Sequence, residues 1–200
     1  MSSNGSVISS KYPVAVLLAG GASRRMQKDK ALLPFGNATT LSEYQYRRLE
    51  ALFERVYIAA KSDKFAFSPR LIIEKDARTS PLVALDSIWK HLDEDEVFVL
   101  SVDTPFVTSE IIARLYAVAS QSHAAAIVAR TPQGLQPLCA LYRRATSKAI
   151  QTMLNTNQHR LQVLLQEVQM EAVQFEEERV FANLNYPCDY DEAQEWLKRG

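Results

Sequence analysis

The chain predicts an α/β protein of three layers, a mostly parallel, twisted sheet with helices on both faces. Three observations lead there. Residues 14–18 and 97–100 are uninterrupted apolar runs, as strands buried on both faces are. Strand-like and helix-like segments alternate along most of the length, the pattern of a helix-covered parallel sheet. Chemistry-bearing residues follow directly where strands stop, and such sheets bind ligands beyond the carboxyl ends of their strands.

The elements follow in order. The first strand, 14–18, runs into Gly20 and Gly21. After an apolar stretch at 31–36, Thr40 opens the first helix, and Glu43 three residues on completes a capping box. Leu41, Leu49 and Leu52 give that helix its core-facing stripe. Residues 55–60 and 71–73 are the second and third strands. Ser80 then Pro81 is the favoured cap-then-proline start of a helix, lined by Leu82, Leu85, Ile88, Trp89 and Leu92. The acidic run 93–96 is a solvated turn. Strand 97–100 leads to a helix at 109–119 with Ile112, Leu115, Tyr116 and Ala119 inward. Strands at 124–129 and 138–142, helices at 144–154 and 161–168, short strands at 171–175 and 179–182, and a terminal helix at 189–198 complete the chain, with Asp189 or Asp191 near the last cap. No repeat of solenoid period occurs and no linker divides the chain, so residues 1–200 are expected to form one domain, with 1–11 as a flexible, serine-rich N-terminus.

Composition narrows the function. Lysine plus arginine equals aspartate plus glutamate at 23 each, so no bulk charge draws nucleic acid or an anionic membrane. Two distant cysteines, Cys139 and Cys188, argue against a zinc site or disulfide framework and fit a reducing compartment. No apolar run has the length of a signal peptide or a membrane span. A cytoplasmic protein is expected.

The glycine turn carries the strongest chemical signal. Gly20 and Gly21 let backbone amides approach a ligand closely, and successive amides form a concave surface for anions. Arg24, Arg25, Lys28 and Lys30 crowd positive charge beside it. That combination suits a polyphosphate, although neither G-x-x-x-x-G-K-[ST] nor G-x-G-x-x-G is present. Asp103 stands where the 97–100 strand stops. Magnesium takes one or two protein carboxylates and completes its shell with phosphate oxygens and water.

Leu18, Ala19, Gly20, Gly21, Ser23, Arg25, Met26, Asp29 and Lys30 match L-A-G-G-x-S-x-R-M-G-x-D-K, the N-terminal signature of molybdenum cofactor guanylyltransferases and related nucleotidyltransferases. Gln27 departs from it. Residues 101–106 resemble the family's x-x-D-x-P-F segment, 80–85 its G-P-L-x-G helix start with both glycines replaced, by Ser80 and Ala84, 136–142 its [QH]-P-L-x-A-L strand, and 181–187 its F-x-N-x-N-T-P segment. The resemblance implies a Rossmann-like nucleotidyltransferase that couples GTP to molybdopterin with release of pyrophosphate. It assigns nucleotide contacts to Leu18, Ala19, Gly20, Gly21, Lys30, Lys61, Asp76 and Asp103, and catalytic roles to Arg25, Lys30 and Asp103. It gives magnesium to Asp103 and the acceptor to Gln136, Asn183 and Asn185. Lys61 stands where the family has asparagine, and Asp76 is the nearest match to an aspartate after the third strand. Proteins that deliver the cofactor or chaperone molybdoenzymes are the implied partners. Cytidylyl or sugar-phosphate transfer, or nucleotide binding without catalysis, are the alternative readings.

Overall fold

The computed structural model describes residues 11–20 and 29–199. Its elements are β1 (Tyr12–Leu18), α1 (Leu41–Leu52), β2 (Phe53–Ala60), β3 (Leu71–Ile73), α2 (Pro81–His91), β4 (Glu96–Ser101), α3 (Ser109–Ala119), β5 (Ala126–Thr131), β6 (Gly134–Arg143), α4 (Ser147–Asn155), α5 (Leu161–Glu167), β7 (Met170–Gln174) and α6 (Pro187–Arg199). Among the described residues the strands form one sheet in the order β3-β2-β1-β4-β6-β5-β7. Pairing is parallel from β3 to β4 and between β5 and β7, and β6 is antiparallel to both its neighbours.

The alternation of β1 side chains builds two cores, because successive residues of a strand point to opposite faces. Ala15 and Leu17 pack with Leu41 and Leu49 of α1, Ile112 and Leu115 of α3, and Ala193 of α6. Val14, Val16 and Leu18 pack with Leu82, Leu85 and Ile88 of α2, Ile150 of α4 and Leu164 of α5. Helices therefore cover both faces, as the sequence predicts.

The caps form as expected. The Thr40 hydroxyl accepts from Glu43 N at the start of α1, and Ser80 accepts from Val83 N at the start of α2, where Pro81 follows it. The reciprocal bond of the first box goes one residue further back, from Thr39 N to Glu43 Oε2 at 3.0 Å. The Thr39 hydroxyl, with help from Arg47, holds the Glu43 carboxyl below the usual carboxylate range.

Three expectations change. Residues 179–182 are not a strand: Arg179–Phe181 is a 3-10 turn whose Val180 and Phe181 drop into the core. A short apolar run fits either conformation, and among the described residues no strand pairs with this one. Tyr116 is only partly buried and stacks on Tyr12 at 4.0 Å between ring centroids, while Ile111 takes an inward place on α3. The strand expected at 138–142 begins earlier, at Gly134, because a tight turn after Thr131 makes β5 and β6 a hairpin, which forces antiparallel pairing. Their register shifts between Val128 and Ala129. Pro137, opposite this shift, has no N–H to give the ladder.

Replacing Thr40 by alanine removes the acceptor at the α1 N-terminus. Denaturant unfolding should show a loss of about 1 kcal/mol with an unchanged slope.

Candidate active site

Parallel strands of one sheet all end on the same side, and here that side gathers the charged residues. β1 ends at Leu18, followed by Ala19 and Gly20; β2 ends at Ala60, followed by Lys61; β3 ends at Ile73, followed by Glu74; β4 ends at Ser101, two residues before Asp103. The chain runs from β1 outward through β2 and β3, then crosses back to β4 on the other side of β1. The crevice at that reversal is where sheets of this kind hold ligands. Its floor is rigid, since Ala19 N donates to Ala59 O and Val102 N donates to Leu18 O, both at 3.0 Å.

Lys30 and Asp103 meet across the reversal. Asp29 caps a 3-10 turn at Lys30–Leu32 by accepting from Ala31 N, and this turn aims Lys30 Nζ at Asp103 Oδ2, 2.9 Å away. Ser101 Oγ donates to Asp103 Oδ1 at 2.5 Å, which orients the carboxylate. Asn185 Oδ1 accepts from Lys30 Nζ at 3.1 Å, and Leu184 N donates to the Asp103 carbonyl at 2.9 Å. The C-terminal segment is thereby tied to the β4 end. Leu184 is buried while Asn183 and Asn185 are exposed, so the two asparagines share one side of an extended stretch, as their spacing predicts. Asn183 also lines a cleft of about 130 Å³ with Gln136, Thr104, Leu138 and Phe181. The irregular stretch of β6 around Pro137 opens this cleft, so Gln136 and Asn183, from distant parts of the sequence, come to one place beside Asp103.

The β2–β3 side differs in detail from expectation. Lys61 carries three donors, and its ammonium meets Glu74 Oε2 at 3.1 Å, the Asp76 carbonyl at 2.7 Å and the Arg78 carbonyl at 2.5 Å. It fastens the 74–78 loop to the β2 end. The Asp76 carboxylate is taken by Arg78, whose hydrogen bonds hold it well below the usual carboxylate range. Glu74 is the residue that the sequence reading passed over. It is 5% exposed, and its Oε1 has no hydrogen-bond partner among the described residues. A Cβ added to Gly20 would lie 2.6 Å from that oxygen. A side chain at Gly20 would therefore displace the Glu74 carboxyl. An orphaned buried acceptor costs about 1–3 kcal/mol, more when charged. The signal was its place directly after an apolar strand, as Lys61 follows β2. Lys64 was also passed over: it pairs with Asp29 and donates to Ala19 O at 3.3 Å, joining the residues that flank 21–28. Gly21, Arg25 and Gln27 lie outside the described residues.

Asp103 fits magnesium by its chemistry. It is a hard oxygen donor held by Ser101 at a strand end, and no group of three or more His, Cys, Asp or Glu side chains competes for a metal among the described residues. A single carboxylate leaves most of the shell to phosphate oxygens and water, the usual arrangement for this ion.

Residues 15–173 match the model of the MobA-like NTP transferase domain. The chain belongs to this family. It is a nucleotidyltransferase. A molybdenum cofactor guanylyltransferase of Campylobacter jejuni is 34% identical over 187 residues, covering 92% of this chain and 96% of that protein. One from Helicobacter pylori is 34% identical over 190 residues, covering 92% and 93%. The crystal structure of molybdopterin-guanine dinucleotide biosynthesis protein A from Archaeoglobus fulgidus superimposes with a TM-score of 0.81 at 18% identity, over 94% of this chain and 100% of that one. CMP:2-keto-3-deoxy-manno-octonic acid synthetase, solved with CTP, superimposes with a TM-score of 0.78 at 13% identity, over 94% and 99%. These two likenesses concern the fold. Among the described residues no helix is long and apolar enough to cross a membrane.

Gly20→Ala should push the Glu74 carboxylate aside and cost about 1–3 kcal/mol. In a double-mutant cycle with Glu74→Ala, the pair should cost less than the sum by roughly 0.5–3 kcal/mol. Additive losses would mean that the two positions do not press on each other.

Proposed function

We propose that this chain transfers GMP from GTP to a molybdopterin-type molybdenum cofactor, forming the guanine dinucleotide cofactor and releasing pyrophosphate. The observation that carries the reading is the Lys30–Asp103–Asn185 cluster at the crossing between β1 and β4, in a chain that shares 34% of its residues with molybdenum cofactor guanylyltransferases over nearly its whole length.

A terminal phosphate oxygen of the acceptor attacks the α-phosphorus in line. The new oxygen–phosphorus bond forms as the α–β bridging bond breaks, and pyrophosphate carries the electron pair away. The attacking oxygen is already anionic near neutrality, so no general base is needed, and the protein's work is positioning and charge neutralisation. Lys30 supplies a compact positive charge at the phosphates. Asp103 would hold magnesium, which when bound neutralises nucleotide phosphate charge. Glu74 Oε1 offers an acceptor to the N–H edge of guanine, with Lys61 holding the other oxygen. Gln136 and Asn183 face the acceptor from the cleft beside Asp103, and Asn185 orients Lys30. Arg25 and Gly21 join the phosphate contacts on the strength of the sequence resemblance. Residues 1–200 act as one nucleotidyltransferase domain in the cytoplasm, served by the delivery and chaperone proteins that the resemblance implies.

The test is pyrophosphate release with molybdopterin and magnesium, comparing GTP, CTP and ATP. GTP should be preferred; a clear CTP preference would instead assign cytidylyl transfer. Lys30→Ala should slow turnover by roughly 10²- to 10³-fold. Asp103→Asn should remove it almost entirely while leaving the melting temperature nearly unchanged. Near-normal turnover of either variant would take that residue out of the site.

A further inference from the structure

We infer that α1 is a jig for the catalytic pair, and that Arg48 and Gln45 on it are positioning residues for Asp103. The inference rests on the nucleotide site proposed above. On the Lys30 side, Ser42 Oγ donates to the Ala31 carbonyl at 2.7 Å and Leu41 N donates to the Leu33 carbonyl at 2.7 Å, so the first turn of α1 grips the 3-10 turn that bears Lys30. On the Asp103 side, the segment from Thr104 to Val107 joins β4 to α3 and lies in neither element. Side chains of α1 take the carbonyls of Thr104, Pro105 and Val107. Gln45, fully buried, donates Nε2 to the Thr104 carbonyl at 2.9 Å. Arg48 donates to the Pro105 carbonyl through Nη1 and to the Val107 carbonyl at 2.6 Å through Nη2. Gln45 Oε1 accepts from Arg48 Nη1 at 2.9 Å, which locks the two side chains together.

Arg48 is an uncommon choice if packing is the only need. Burial pushes its guanidinium down from the ordinary value, no carboxylate pairs with it among the described residues, and its one further partner is the Tyr44 ring at 5.4 Å. Bringing a cation there without a counter-charge is costly. What the guanidinium supplies is a planar fork that reaches two carbonyls of one loop at once. Pro105 has no N–H with which to anchor that loop itself. One rigid helix thus sets Lys30 from one end and Asp103 from the other, and the separation of the pair follows from three side chains a turn or less apart.

The test is Arg48→Lys, which keeps the charge but cannot span both carbonyls. Mn²⁺ binding to the enzyme–GTP complex, read by the electron paramagnetic resonance of free Mn²⁺, should weaken by about 10-fold, the scale of losses when a residue supporting a metal ligand is removed. Turnover should fall at low magnesium and recover as magnesium is raised. Leu49→Ala, a core change on the same helix, should lower the melting temperature and leave Mn²⁺ affinity unchanged below the melt. Wild-type Mn²⁺ affinity in Arg48→Lys, or an equal loss in Leu49→Ala, would overturn the positioning role. Failure of the wild-type enzyme to bind Mn²⁺ with GTP would overturn the site itself.

Discussion

The pairing of β1 on both of its edges is the constraint on which the rest depends. β2 and β4 run parallel to it on either side, from Val14 opposite Arg55 and Ala15 opposite Phe98 up to Leu18 opposite Ala59 and Ser101. A strand held this way ends at a fixed height and in a fixed direction. Whatever follows each of the three strands must project from the same rim of the sheet. The crossing of the chain behind β1 leaves a gap between the connections that follow β1 and β4. Lys30 and Asp103 sit over that gap.

Charge at the rim is arranged in alternation. Lys30 faces Asp103, Lys61 faces Glu74, and Lys64 faces Asp29. Each of these three cations is held near a carboxylate, which offsets part of the cost of keeping charges half-buried. The pairs are not equivalent. Lys61 spends its donors on the protein and leaves one oxygen of Glu74 over, whereas Lys30 and Asp103 stand at the open end of the crevice. In the proposed reaction a polyanion entering there would exchange a carboxylate for phosphate oxygens around the lysine.

Much of this was legible in the sequence, and the reasons are local. The buried runs and the Thr40 and Ser80 caps each depend on a few neighbouring residues, so reading them required no tertiary knowledge. Asp103 was legible because it ends an apolar strand near the glycine loop and sits in a segment, 101–106, that resembles the family's x-x-D-x-P-F. What the sequence left hidden has one cause in common: it depends on which distant groups meet. Glu74 and Asp76 look alike in sequence, and only the placement of Arg78 and Gly20 tells which carboxylate is already engaged. Lys61 stands at an expected base contact, but its donors go to a loop thirteen and more residues away. Arg179–Phe181 has a strand's composition, and the absence of a pairing partner is not written in those residues. Gln45 and Arg48 look like ordinary polar positions on an amphipathic helix until the loop after Asp103 is laid across them.

The central claim is that the nucleotide lies across the β1–β4 crossing, with its base toward Glu74 and its phosphates toward Lys30 and Asp103. A crystal structure with magnesium and a non-hydrolysable GTP analogue tests it most directly. The guanine N–H edge should lie on Glu74 Oε1 and the triphosphate beside Lys30, with the metal on Asp103. An analogue bound with its base in the Gln136–Asn183 cleft, or away from the strand ends altogether, would contradict it.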